Sequence, residues 1–454
     1  MNTLTIAAIA TAPGSGAVSV LRISGPEALS VVERVFRPRR PGPWTPRQLR
    51  LGQAHDPETG RLIDEVMAAW FPGPNSFTGE DLCEIQGHGG QAVTALVLRA
   101  LLSAGAALAE PGEFTRRAFL NGRMDLTQAE AVADLIAAQS AAEASLAARQ
   151  LAGGLSERVA PIHKAIESAL VNLSADIDFS DDMEPLDLQS FSEKLNEEAL
   201  KPLRKLLADA KAGRPYREGL KLALIGAPNV GKSSLFNALA GSERALVSPL
   251  AGTTRDFITT SAILNDLRVE LCDTAGLSET PADELDSLGQ KRSRSQLAAA
   301  DVILWVRDLT APSEEAGGIK ASDLPAGRSI VVWNKTDLAE NAAPATCEGD
   351  WPAYMVSARS GQGLTELKKG IIRLVTGSEE AAPPEIAPNL RHQSALNKTA
   401  EYLTATIAAV KEGQPPDICA FELKAALDSL SLICGRTTAD DILNEIFARF
   451  CLGK

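Results

Sequence analysis

Aromatic residues are scarce: Phe, Trp and Tyr together make up 4% of the 454 residues. Ala and Leu supply much of the 45% apolar content instead, a bias toward packed helices over a β-rich fold. Cysteine is sparse and scattered. Six residues with no CxxC spacing argue against a disulfide framework or a cysteine zinc site. Long apolar runs are missing. Segments such as 222–225 and 302–306 are far too short to cross a bilayer. The first residues, MNTLTIAAIATAPG, lack the basic start and long apolar stretch of a secretory signal and the Arg- and Ser-rich look of a transit peptide. A cytoplasmic protein without membrane association is expected. Excess positive charge is also lacking: 45 Lys and Arg against 58 Asp and Glu leave a net charge of −13. That excludes the broad basic field of a non-specific nucleic-acid coat protein. It leaves room for one structured RNA held by a local patch, such as Arg37, Arg39 and Arg40, or Arg116, Arg117 and Arg123, or residues 201–217.

The length allows about three domains at roughly 150 residues each. Residues 1–118 mix short strands (6–11 and 18–24) with helices over 27–36 and 92–104, an α+β pattern. Residues 119–215 show helical spacing over 126–150, 155–177 and 193–211, with Gly213 and Pro215 expected to end the last helix. Residues 216–376 alternate strands (221–226, 268–273, 302–308, 329–334, 354–357) with helices. That alternation implies βαβ units and a mainly parallel sheet with helices on both faces. The acidic, Pro-rich segment 379–388 then leads to helices over 390–410, 418–437 and 440–450. The fold expected is therefore multidomain: an α+β N-terminal domain, a discontinuous all-α domain (119–215 and 377–454), and an inserted α/β P-loop domain (216–376).

The inserted domain carries a phosphate-binding signature. Gly226 to Ser233 reads GAPNVGKS, preceded by the apolar KLALIG and followed by SSLFNALAG. Strand, GxxxxGK[ST] spacing and helix occur in the order the motif requires. Backbone N–H groups around Asn229, Val230, Gly231, Lys232, Ser233 and Ser234 would cradle phosphates. Lys232 would reach the β- and γ-phosphates, and the Ser233 hydroxyl would bind Mg²⁺. A second strand ends in Asp273, Thr274, Ala275 and Gly276, the place for a water-mediated Mg²⁺ contact and a γ-phosphate sensor. A third ends in Asn334, Lys335, Thr336 and Asp337. The Asp337 carboxylate can accept from guanine N1–H and its exocyclic amine, a donor pair that adenine lacks, so GTP and GDP are the expected ligands. Ser357 and Ala358 supply a backbone contact for guanine O6. Leu277 stands where Ras-type enzymes carry the Gln that orients water. Another device is expected, for which two features offer themselves. Asn229 could ligate a monovalent cation beside the phosphates, or be a plain turn residue. The carboxylates of the segment 283–286 could orient water. Thr254, within GTTRD, is the candidate second Mg²⁺ ligand.

These residues and their flanks resemble the MnmE (TrmE) family of tRNA modification GTPases over essentially the whole chain. PNVGKS and GTTRD are shared with ribosome-assembly GTPases. The specific marks are TIAAIATAPGSGAVSVLRISG (5–25), PGPNSFTGEDLCEIQGHGG (72–90), PGEFTRRAFLNGRMDLTQAEAVADLI (111–136) and the terminal FCLGK (450–454). The resemblance implies a K⁺-dependent GTPase that forms homodimers. With a flavoprotein partner similar to MnmG, it adds an aminomethyl or carboxymethylaminomethyl group to C5 of the wobble uridine of certain tRNAs. The one-carbon unit would come from a tetrahydrofolate derivative (5-formyl or 5,10-methylene) bound by the N-terminal domain. Carried over by position, K⁺ ligands fall on Asn229, Ser248, Leu250 (backbone) and Thr253, and folate contacts on Arg22, Glu84 and Arg123, with Lys454 joining the cofactor-binding set. The residues alone would explain Arg22 and Glu84 as a strand-end salt bridge. The catalytic carboxylate aligns with Asp286, one methylene shorter than the family's Glu, with Glu284 as the other candidate. Cys451 matches the family's terminal cysteine, and a reactive and a buried structural role both stay open. The competing reading is an RNA-associated ribosome-assembly GTPase without one-carbon chemistry. It calls for a basic C-terminal RNA module, where this sequence has helices of weak basicity.

Overall fold

The computed structural model describes residues 4–178, 186–241, 259–264, 266–273, 298–310, 324–338, 351–377, 382–436, 440–451 and 453–454. Contacts divide the chain into two units, one of Met1–Ile136, Gln150–Pro202 and Ala395–Lys454, the other of Ala137–Arg149 and Leu203–Ser394.

The first unit opens with β1 (Ile6–Ile9), β2 (Val18–Ser24), α1 (Ala28–Val35), β3 (Phe36–Pro38), β4 (Arg50–His55), β5 (Leu62–Phe71), β6 (Leu82–His88), α2 (Gln91–Ser103) and β7 (Ala107–Leu108). The sheet order is β3-β4-β5-β6-β2-β1-β7, antiparallel except for the β1–β7 pair. One sheet face supplies Leu21, Ile23, Val66, Ala68 and Ile85 to a core closed by Val31 and Val32 of α1 and Val97 and Leu101 of α2. The sequence reading named only the first two strands. Acids at 65 and 84 on the other face, and Asp64 on the core side near the start of β5, interrupt the apolar runs of β5 and β6, so their period-two signal is diluted.

Helices follow: α3 (Glu113–Leu120), α4 (Leu126–Ala137), α5 (Ala141–Leu151), α6 (Gly154–Asp178), α7 (Leu188–Leu195) and α8 (Lys201–Glu218). The single helix expected over 126–150 is two. Ser140 starts the second, its Oγ accepting from Glu143 N at 3.1 Å while Glu143 Oε2 accepts from Gln139 N at 2.6 Å. The helix expected over 193–211 is likewise interrupted, by a π turn at Asn196–Leu200, and α7 is capped by Asp187. Gly213 and Pro215 do not stop α8. Gly213 packs where an added Cβ would collide with Ala387 Cβ, so its missing side chain serves close packing. The stop comes at Gly219, with φ +77°.

The second unit contains β8 (Leu220–Ile225), α9 (Lys232–Ala240), β9 (Thr259–Leu264), β10 (Leu267–Asp273), β11 (Val302–Asp308), β12 (Ser329–Asn334), β13 (Ala353–Met355) and α10 (Leu364–Thr376). Its sheet order is β13-β12-β11-β8-β10-β9, parallel throughout except for β9 against β10. β11 and β12 are buried at every position, as strands covered on both faces must be. Ala142 and Leu146 of α5, Tyr216 of α8 and Ala387 join this core, and Arg268 Nε meets Glu143 Oε1 at 2.8 Å. The compact unit therefore extends past both sequence-expected borders at 216 and 376.

The chain closes with α11 (Leu390–Lys411), α12 (Pro416–Cys434) and α13 (Asp440–Phe447). α12 packs along α6. Leu443, Phe447 and Phe450 pack on Leu126 and Ala129 of α4. The last residues then lie against the N-terminal portion of the same unit, where Phe114 N donates to Lys454 O at 3.2 Å.

Candidate functional site

The nucleotide site grows from the C-terminal ends of β8 and β12. β8 drives an apolar strand into the core and releases it at Gly226. A Cβ at Gly226 would strike the Val306 carbonyl oxygen, so only glycine lets the loop pass the neighbouring strand. Asn229 then adopts φ 61° and Gly231 φ 94° before α9 begins at Lys232. Gly231 faces Asn334, and an added Cβ would run into Asn334 Nδ2. The Lys232 side chain folds back over the loop, with Nζ donating to Gly226 O at 3.0 Å and Ala227 O at 2.9 Å. Lys232 is 9% exposed, so its charge is concentrated at the loop that would wrap phosphates.

Asn334 ties the site together. Its Nδ2 donates to Val230 O at 2.9 Å, and its Oδ1 accepts from Ala358 N at 3.1 Å. One buried amide thus fixes the phosphate loop, the end of β12 and the 357–358 loop relative to one another. Ser357 Oγ donates to Asp337 Oδ1 at 2.7 Å and accepts from Ser360 N at 3.1 Å, aiming a carboxylate that is itself exposed. Lys335 adopts φ 69°, and its Nζ donates to Asp308 Oδ2 at 2.6 Å. Asp308 also accepts from Thr310 N at 2.9 Å and Thr310 Oγ1 at 2.6 Å. Burial acts to raise the Asp308 carboxyl, but the bonds from Lys335 and Thr310 outweigh it and hold it below the ordinary aspartate value. Among the described residues four non-glycines have positive φ, and two of them, Asn229 and Lys335, belong to this site. Left-handed backbone at non-glycines costs energy and clusters where geometry serves function. Asp308 and Thr310 escaped the sequence reading. The available signal was a pair of charged residues, Arg307 and Asp308, closing the apolar run VILWV.

Of the expected site residues, Ser248, Leu250, Thr253, Thr254, Thr274, Ala275, Gly276, Glu284 and Asp286 lie outside the described residues, as does the Asp273 side chain.

Comparison with known proteins places this geometry. The model of the MnmE helical domain matches residues 126–451, and that of the GTP-binding protein TrmE N-terminus matches residues 5–123. The tRNA modification GTPase MnmE of Moorella thermoacetica is 42% identical over 99% of this chain and 99% of its own length, and that of Bordetella petrii 43% over 99% and 98%. The chain belongs to the MnmE (TrmE) family of tRNA modification GTPases. Among solved structures, the G domain of the T. maritima FeoB iron transporter matches 34% of this chain and 98% of its own, with 24% identity and a TM-score of 0.24.

In this MnmE-family chain a second cluster lies on the N-terminal sheet. Arg22 on β2 and Glu84 on β6 are register partners, and Arg22 Nε donates to Glu84 Oε1 at 2.8 Å. The Arg22 guanidinium lies 5.4 Å from the centroid of the Phe77 ring, and Arg123 Nε donates to Ser76 O at 3.1 Å. The neighbouring residues 76 and 77 thus hold both arginines. Lys454 belongs to the same neighbourhood. Burial and the nearby Arg22 push its ammonium below the ordinary lysine value, while Glu84 and Cys451 pull it up. Cys451 is exposed. The salt-bridge reading of Arg22 and Glu84 therefore describes a real contact, with the Lys454 ammonium close enough to feel both charges.

Proposed function

We propose that this chain is a GTP hydrolase acting in tRNA modification. GTP hydrolysis in the second unit would drive a cycle that serves addition of an aminomethyl or carboxymethylaminomethyl group at C5 of a wobble uridine. The observation that carries the nucleotide half is the Asn334 bridge between the phosphate loop and the 357–358 loop, with Asp337 aimed beside it. The glycine cradle that any Cβ would fill, and the buried Lys232, suit a triphosphate. Asp337 suits the N1–H and amine of guanine. Membership of the MnmE family over the whole chain supports the tRNA half.

Finer parts of the reading follow from the family resemblance and local chemistry. Mg²⁺ would be held by Ser233 and Thr254, with Asp273 acting through water. K⁺ would be held by Asn229, Ser248, Thr253 and the Leu250 carbonyl, and Asp286 or Glu284 would orient water. Asn229 already has the left-handed backbone that lets a side chain turn back toward a loop. A reduced folate would lie at Arg22, Glu84, Arg123 and Lys454. Its ring N–H groups suit the Glu84 carboxylate and its carboxylated tail suits the cations. The bound folate would supply the one-carbon unit, while these side chains hold and orient it. Cys451, exposed near Lys454, is available as a reacting group. The working assembly would be a homodimer with a flavoprotein partner, in the cytoplasm.

GTP turnover by the purified full chain in K⁺ against Na⁺, at equal ionic strength and with oligomeric state recorded, tests the cation, carboxylate and dimer together. The reading expects strong K⁺ dependence with nucleotide-dependent association. Equal turnover in both salts leaves the GTP site standing and removes the K⁺-and-dimer mechanism.

A further inference from the structure

Residues 36–55 contain five Arg and no Asp, Glu or Lys, within a chain whose net charge is −13. The same stretch holds four Pro, at 38, 41, 43 and 46, which stiffen the loop between β3 and β4. Their setting is built rather than loose. β3 is the edge strand of the sheet, and Arg39 N donates to Leu51 O at 3.0 Å, so Arg37 and Arg39 project from one face of that edge. Arg50 lies over the Trp44 ring at 5.0 Å and donates to Arg40 O at 2.9 Å. Trp44 packs on Phe36, with ring centroids 5.7 Å apart, and its Nε1 donates to Glu33. Arg47 takes φ 60°, costly for a non-glycine, and its guanidinium donates to Asn75 O at 2.8 Å. Arg37, Arg39, Arg40 and Arg47 are exposed. Among the described residues none of the five pairs with a carboxylate, whereas Arg22, Arg117, Arg214 and Arg268 all do. Of the nearby acids, Glu33 on α1 is occupied by Trp44, and Glu65 lies two strands away across Gln53.

We infer that the β3 edge and its Pro-rich loop form a docking surface for the phosphate backbone of RNA. Uncompensated guanidiniums on a stiff support match phosphate geometry and lose little freedom on binding. The exclusive use of Arg fits bidentate phosphate contacts better than it fits general solubility. The surface lies away from the nucleotide-binding residues in sequence and deepens the tRNA reading, on which it rests.

The test uses the full chain and an unmodified tRNA transcript with uridine at the wobble position, titrated at several salt concentrations. The variant is the triple change Arg37→Ala, Arg39→Ala, Arg40→Ala, whose exposed sites leave the core untouched. The expected result is a loss of about 10-fold in affinity and a salt slope shallower by about two to three, with GTP turnover unchanged. Unchanged affinity and slope in the variant, against a wild type that binds, overturn the surface and leave the tRNA reading intact. A variant that changes the oligomeric state instead assigns the patch to a second copy of the chain and also overturns it. A wild type that binds no transcript sinks both the surface and the reading beneath it.

Discussion

On the proposed reading, single side chains decide which nucleotide this site accepts. Asp337 is exposed but aimed, since Ser357 holds one of its oxygens. Replacing Asp337 by Asn turns an acceptor pair into one acceptor and one donor. Affinity for GDP should fall by ~100-fold, while xanthosine diphosphate, which presents a carbonyl in place of the amine, should gain. Competition between the two nucleotides by titration calorimetry reads the exchange, and unchanged preference would remove Asp337 as the base reader. Asp308 acts one step back, through Lys335. Asp308→Ala should weaken GDP by roughly 5-fold, a loss on the order of 1 kcal/mol, with guanine preference retained. The phosphate loop and the Asn334–Asp337 stretch stand out in the sequence because each follows an apolar strand. Asp308 does not, since its partner Lys335 is distant along the chain and meets it only when β11 and β12 pair.

At the scale of elements, the breaks in helices taught more than the helices. Ser140 and Glu143 form a cap that the sequence displays as S-x-x-E, hidden inside an Ala-rich run of helical spacing. Ser140→Ala should cost about 1 kcal/mol and loosen the start of α5, read by hydrogen exchange there. In the sequence Gly213 reads as a stop, because its packing role depends on Ala387, far along the chain. Gly213→Ala should destabilise the second unit by roughly 1–3 kcal/mol through overpacking. A rise in stability, as a simple helix-propensity gain predicts, would contradict that role. The α6–α12 pair is expected to carry a pH dependence. Burial and then Arg436 lower His163, with Glu167 opposing, and His163 Nε2 lies 3.1 Å from Ser431 Oγ. Below pH of about 6.5 the unfolded chain takes up a proton that the folded histidine resists, so stability falls as pH drops toward the folded value. Amide exchange in α6 and α12 should quicken between pH 7.5 and 5.5, after correction for intrinsic rates. His163→Gln should flatten that change.

Across the whole molecule, sequence reasoning recovered the architecture because each part has its own grammar: βαβ alternation for the inserted unit, 3.6-residue spacing for the helices. It was weaker at the joins. Segments 137–149 and 203–215 read as helical-domain sequence, yet both fall in the nucleotide-binding unit, where Ala142 and Leu146 of the first join its core. No local pattern says which of two cores a helix will join. The account's central claim couples GTP hydrolysis to wobble-uridine modification, and Lys232 is the residue whose loss separates the two halves. The direct measurement is nucleoside analysis of tRNA from cells lacking their own MnmE and carrying either this chain or its Lys232→Ala variant. The account predicts that the wild-type chain restores the C5-modified wobble uridine and the variant does not, while folate binding by the variant is kept. Restoration by the Lys232→Ala variant would contradict the coupling, and failure of the wild-type chain in an otherwise competent host would contradict the function itself.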